Sequence, residues 1–211
     1  MAASILIEGP DGSGKTYLAE RLIENLKASY IHGKKVPKAN LDRVCERMIE
    51  ALTMLKENNF NVITDRFIYS QPIYEQIFEN DDRNNKNHLL EWYRDHFDYQ
   101  IICLPRNREK YLNEFNRLKS EREEEYNVMS DVYDAYRALF FGKKFSDSKD
   151  VHEFIKNKLF LDIVDYNPLE TNSNCFLYDR FTSRLENNKG IYTIDEFCEI
   201  VNAQEKTSKK N

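Results

Sequence analysis

Gly9-Pro-Asp-Gly-Ser-Gly-Lys-Thr16 follows the apolar run Ser4-Ile-Leu-Ile-Glu8 and precedes a stretch where Leu18, Leu22, Ile23 and Leu26 recur at helical spacing. Strand, glycine-rich turn and helix in that order, with the pattern G-x-x-x-x-G-K-[ST], predict a phosphate-binding loop. The glycines let the backbone curl around an anion and aim successive N–H groups at it, and the new helix adds its positive end. Gly9, Asp11, Gly12, Ser13, Gly14, Lys15 and Thr16 are the candidate triphosphate site. Lys15 would reach the outer phosphates, and the Thr16 hydroxyl would ligate Mg²⁺. An ordinary glycine-rich turn would meet the four fixed positions in about one chain in a hundred of average composition. The loop alone does not separate kinases from GTPases, helicases or other ATPases.

Beyond the loop, strand and helix patterns keep alternating. Tyr30-Ile-His32, Asn61-Val-Ile-Thr-Asp65, Tyr99-Gln-Ile-Ile-Cys-Leu104 and Leu159-Phe-Leu-Asp-Ile-Val164 read as strands, the last as the best late one. Helices are expected from about Pro37 to Glu57, from Ser70 to Phe78, near Leu89 to His96, on both sides of the charged segment Arg117 to Glu125, and around Ile194, Phe197, Cys198 and Val201. Such alternation favours an α/β fold, a parallel sheet with helices on both faces. The 211 residues suit one domain, placed at 1–203, with the polar, Lys-rich 204–211 as a flexible tail.

Charge narrows the classes. With 31 Lys+Arg against 36 Asp+Glu, the formal charge is −5. A general nucleic-acid binder needs the opposite surplus to replace counterions, although a local patch such as Lys34, Lys35 and Lys38 stays open. No apolar run approaches the length of about 20 residues that a membrane span needs, and the N-terminus lacks the basic and apolar regions of a signal peptide, so a cytoplasmic location is expected. Cys45, Cys103, Cys175 and Cys198 form no Cys-x-x-Cys pair and read as reduced, partly buried thiols. His32, His88, His96 and His152 lack metal-ligand spacing; His32 stands out because it follows the second strand.

The segment Asp65-Arg-Phe-Ile-Tyr-Ser-Gln-Pro-Ile-Tyr74 sharpens the reading. Asp65 at a strand end beside the loop is placed to hold Mg²⁺ through water, and Arg66 can bind a phosphate. Together with the loop, these residues resemble the thymidylate kinase family of nucleoside monophosphate kinases. That family pairs G-x-[DE]-x-x-G-K with a later D-R-aromatic, a Ser five residues after the Asp and an aromatic nine after it. Asp11, Asp65, Arg66, Phe67, Ser70 and Tyr74 meet these spacings. The resemblance implies a three-layer P-loop kinase fold, with a five-stranded parallel sheet, a lid and a homodimer through helices away from the loop. It also implies roles: Arg66 grips the acceptor monophosphate, Asp11 bonds the sugar 3′-hydroxyl, and Tyr74 packs on the sugar and disfavours a 2′-hydroxyl.

The lid of such kinases would fall at about 115–126, where Arg117, Lys119 and Arg122 stand among acidic residues. Phosphoryl transfer depends on positive charge around the transferring group. The family places its catalytic Arg in the loop or in the lid, and this loop carries Gly12 and Ser13, so Arg117 or Arg122 would supply it. A solvated helix surface is the plainer reading of that run. On the helix before Asp65, Arg43 and Arg47 are i,i+4 neighbours and candidates for the acceptor base, against the plainer reading of surface arginines. Arg43 replaces the family's base-stacking aromatic, and His32-Gly-Lys-Lys35 replaces its Arg-Glu-Pro, so the base stays open. The stretch Gly142 to Gly190, with Asp162, Asp165, Tyr178-Asp-Arg180 and Arg184, carries no assigned motif; the loop after Tyr166 is expected to cover the adenine of ATP.

The expected activity is ATP- and Mg²⁺-dependent phosphorylation of a deoxynucleoside monophosphate, dTMP or a related pyrimidine nucleotide. Three alternatives stand beside it: a deoxynucleoside kinase, a kinase acting on a modified base or an end in DNA, and a P-loop module that binds ATP without catalysis. A deoxynucleoside kinase must deprotonate a sugar hydroxyl, and its family uses a Glu at the end of the second strand, where this chain has His32-Gly33.

Overall fold

The computed structural model describes residues 2–33, 41–66, 70, 73–74, 96–118, 129–137, 169 and 172–208. Along the chain these give β1 (Ser4–Glu8), α1 (Lys15–Leu26), β2 (Ser29–His32), α2 (Leu41–Glu57), β3 (Val62–Asp65) and β4 (Tyr99–Cys103). Then come α3 (Arg108–Leu118), α4 (129–137), β5 (Cys175–Asp179), β6 (Arg184–Asn187), β7 (Gly190–Tyr192) and α5 (Ile194–Ser208). One sheet runs β2-β3-β1-β4-β5-β6-β7. The first five strands in that order are mutually parallel, and β6 and β7 add antiparallel to β5.

The sheet is buried because its strands carry apolar side chains on both faces, as parallel sheets require. In β1 every residue is buried, and its side chains alternate between two cores. Ile5 and Ile7 pack with Leu18, Leu22, Phe197 and Val201 under α1 and α5, whereas Leu6 packs with Leu52, Tyr111, Leu112, Val132 and Tyr136 under α2, α3 and α4. That is a three-layer architecture built from the period of two in a strand. The edge strand β2 alternates half-buried and exposed residues instead, leaving Tyr30 42% exposed.

The five parallel strands agree with the expected sheet, but its total is seven. Asn187 makes the extension possible: its Oδ1 accepts the N–H groups of Lys189 and Gly190, closing the turn between β6 and β7. The fifth parallel strand is Cys175–Asp179, beside β4; the stretch 159–164, read from sequence as the late strand, lies outside the described residues. Helix α5 begins with a capping box, Thr193 Oγ1 accepting from the Glu196 N–H while Glu196 accepts from the Thr193 N–H. It runs to Ser208, past the boundary expected at 203. Gln204 Oε1 accepts from the buried Tyr99 hydroxyl at 2.6 Å, a polar anchor that apolar periodicity does not reveal. The four cysteines are buried and form no disulfide, and among the described residues no helix is long and apolar enough to cross a membrane.

Candidate active site at the carboxyl ends of the parallel strands

The loop between β1 and α1 has the conformation its glycines permit. Gly9 has φ +146°, and a Cβ there would stand 2.2 Å from the Cys103 carbonyl oxygen, so the loop presses on the end of β4. Gly14 caps α1 in the left-handed region at φ +95°. Lys15 is 4% exposed, and its Nζ donates to the carbonyls of Gly9 at 2.7 Å and Pro10 at 2.6 Å. Burial lowers its pKa, opposed by Cys103, Asp65 and Glu8. Ser13 Oγ is fully buried and has no hydrogen-bond partner among the described residues. Thr16, in the first turn of α1, is exposed.

Asp65 ends β3, in register with Ile7 on one side and His32 on the other. Its Oδ2 accepts from the Tyr30 hydroxyl at 2.9 Å and lies 3.5 Å from His32 Nδ1, while Tyr30 and His32 stack with centroids 6.2 Å apart. Its Oδ1 is buried and unpartnered among the described residues. A buried carboxylate oxygen without a donor is costly unless a cation or a water meets it, so Asp65 is chemically suited to hold a divalent ion beside the loop.

Arg66 leaves β3 in the left-handed region at φ +60°, which turns its side chain back over the loop. There it forms an ion pair with Asp11. Tyr74 completes the unit: its hydroxyl accepts the Asp11 N–H at 2.9 Å, and its ring centroid lies 5.9 Å from the Arg66 guanidinium carbon. Ser70 is tied to a different group. Its Oγ donates to Glu8 at 2.6 Å and lies 2.7 Å from the Tyr136 hydroxyl, which itself bonds Glu8 at 3.1 Å. Glu8, Ser70 and Tyr136 are all buried, so this cluster anchors the last residue of β1, just before the loop, to α4.

A further cation comes from the turn after β5. Arg180 packs against Gly14, where a Cβ would stand 2.9 Å from the Arg180 Cβ, and donates to Glu114 of α3 at 2.6 Å. The Phe181 ring lies 4.8 Å from the Arg180 guanidinium carbon and 4.0 Å from Lys110 Nζ.

The strand order, the loop after β1 and a structural similarity over the whole chain agree. The YorR protein of Bacillus subtilis, solved in complex with phosphorylated GDP, matches with a TM-score of 0.54 at 17% identity, covering 99% of this chain and 98% of that one. The two chains share one fold. Weaker similarities, with TM-scores too low to decide anything, are to thymidylate kinase from Candida albicans (0.38, 16% identity, 99% of this chain and 92% of that one) and to deoxyadenosine kinase from M. mycoides with bound dATP (0.36, 20% identity, 75% and 100%). No protein-family model and no curated protein matches the sequence.

Within that fold, the structure brings together Gly9, Asp11, Lys15, Asp65, Arg66 and Tyr74 from three separate stretches of sequence. Arg43 and Arg47 are both exposed on α2, opposite the side on which Cys45 and Leu52 are buried. Phe67, Lys119 and Arg122 lie outside the described residues, as does the side chain of Arg117 in the last turn of α3. Sequence reasoning missed Glu8, Tyr30, Glu114, Tyr136 and the placement of Arg180. For Arg180 a signal existed: Cys175-Phe-Leu-Tyr-Asp179 is an apolar run ending in Asp-Arg, as Asn61 to Arg66 is.

Proposed function

We propose that the protein transfers the γ-phosphoryl group of ATP to the phosphate of a deoxynucleoside monophosphate, with dTMP or a related pyrimidine nucleotide as acceptor. The observation that carries this is the Asp11–Arg66–Tyr74 unit. It attaches an arginine and an aromatic ring, suited to a phosphate and a sugar, directly to the donor loop. In the transfer, an acceptor phosphate oxygen forms a bond to the γ-phosphorus as the bond to the β–γ bridging oxygen breaks, and ADP leaves. A monophosphate is already nucleophilic at neutral pH, so no side chain need remove a proton.

The residues have distinct tasks. Backbone N–H groups of residues 12–16 and the end of α1 hold the donor phosphates, and Lys15 exchanges its loop carbonyls for phosphate oxygens. Arg66 holds the acceptor phosphate while Asp11 and Tyr74 position its sugar. Arg43 and Arg47 are assigned to the base, and Arg117 or Arg122 to the charge that develops during transfer. Thr16 and Asp65 suit Mg²⁺, a hard cation that takes one or two protein oxygens and fills its shell with phosphates and water; bound there, it would neutralise charge on the β- and γ-phosphates. A cytoplasmic location and a homodimer belong to the same reading.

A panel of all common nucleoside and deoxynucleoside monophosphates, with ADP release followed for each, tests it. The expected result is turnover on one or a few deoxymonophosphates, lost in Lys15→Ala and Asp65→Ala. Labelling of DNA from radioactive ATP with no turnover on any monophosphate would overturn it, as would phosphorylation of nucleosides only.

A further inference from the structure

The P-loop holds no arginine of its own, yet an arginine lies against it. The stem of Arg180 passes the cap of α1, its Cβ and Cδ standing 2.9 and 3.6 Å from where a Gly14 Cβ would be. Its Nη2 bonds Glu114, and its Nε is buried with no partner among the described residues. Phe181 stacks on this guanidinium and on Lys110, so two cations share one ring. Glu114 and Lys110 also line, with Asn107, Glu109 and Asn113, a depression of about 430 Å³ on α3. A guanidinium with an unspent donor, held by one partly exposed carboxylate beside a helix N-terminus, sits where a polyanion would compete for it. A triphosphate offers more charge than a carboxylate and a geometry that suits bidentate bonding.

We infer that Arg180 is a ligand of the donor phosphates and that Glu114 holds it off the loop until a nucleotide arrives. The polyphosphate displaces the Glu114 carboxylate, and the guanidinium then bonds a phosphate oxygen next to the N–H groups at Gly14. This adds a cation from the turn after β5 to those of the loop and lid. It rests on the reading of the loop as a nucleoside triphosphate site, but it does not depend on which acceptor is phosphorylated.

The two partners should therefore act in opposite directions on binding, which a merely structural pair would not do. Titration calorimetry of the full chain with ATP, and with tripolyphosphate, which has the phosphates and no base, measures this without turnover. Arg180→Gln should weaken both ligands about 10- to 100-fold, the range for charge-assisted hydrogen bonds. Arg180→Lys should keep part of the affinity. Glu114→Gln should tighten both about twofold to fivefold, and the double variant should match Arg180→Gln. Thermal melts of each variant report folding separately. Equal weakening by Glu114→Gln and Arg180→Gln would overturn the inference, as would an Arg180→Gln effect on ATP absent with tripolyphosphate, which marks a base contact. If binding behaves as expected but no monophosphate is phosphorylated, the acceptor assignment fails and the Arg180 assignment stands.

Discussion

Arg66 and Asp11 are ion-paired across the gap between the end of β3 and the P-loop, and Tyr74 is bonded to the same Asp11 through its main-chain N–H. Groups assigned to the acceptor are thus built onto the loop assigned to the donor, and a change in one is felt by the other.

Asp11→Asn should leave the side chain able to hydrogen-bond a sugar hydroxyl but remove the ion pair. The acceptor KM is expected to rise about tenfold, as for loss of one charge-assisted contact, with the KM for ATP changed less than twofold. Steady-state kinetics with each substrate varied in turn checks it; equal rises in both would place Asp11 at the donor instead.

Tyr74 gives two separable effects. Tyr74→Phe leaves the part-buried Asp11 N–H without its acceptor, at a cost of about 1–3 kcal/mol in denaturant unfolding. Tyr74→Ala also removes the ring assigned to the sugar and should raise turnover on ribonucleotides relative to deoxynucleotides. An unchanged ratio removes the sugar-selection role.

The buried cluster of Glu8, Ser70 and Tyr136 should act as a unit. Ser70→Ala and Tyr136→Phe each take one donor from a carboxylate that is 0% exposed, and each is expected to cost about 1–3 kcal/mol. Because both donors serve one oxygen, the double variant should depart from additivity. Urea unfolding of the four proteins would show it, and strict additivity would mean that the two hydroxyls do not share Glu8.

Gly9→Ala should be severe for a backbone reason. Its φ of +146° and the 2.2 Å approach of the new Cβ to the Cys103 carbonyl leave no flexible atom to yield. A loss of at least about 2 kcal/mol in stability is expected, with nucleotide binding lost in whatever fraction stays folded.

If Arg117 or Arg122 supplies the catalytic charge, Arg117→Ala with Arg122→Ala in one chain should lower kcat at least about a hundredfold, while the KM for ATP shifts little. Full turnover in that double variant would mean that the catalytic charge comes from elsewhere, with Arg180 the first place to look.

Most of the strands were legible because a central parallel strand must be apolar on both faces, a property that Ser4–Glu8, Val62–Asp65 and Tyr99–Cys103 each show without reference to anything else. Cys175–Asp179 has the same property, but the longer apolar run Leu159-Phe-Leu-Asp-Ile-Val164 reads as the late strand from sequence. The hairpin after Cys175–Asp179 is not legible in the sequence because β6 and β7 are short and half-exposed, so their pairing depends on Asn187 and on β5 rather than on their own pattern.

The sequence by itself determined the phosphate loop, the α/β class and the spacing of Asp65, Arg66, Ser70 and Tyr74, because glycine conformation, strand period and short-range spacing are local properties of the chain. Only the tertiary structure decided what those residues touch. That Arg66 meets Asp11, that Ser70 bonds Glu8, that Tyr30 and His32 flank Asp65, and that Arg180 lies against Gly14 all follow from strand order. Placing β1 between β3 and β4, with β5 next, brings the carboxyl ends of distant strands around one loop, and no local pattern carries that order.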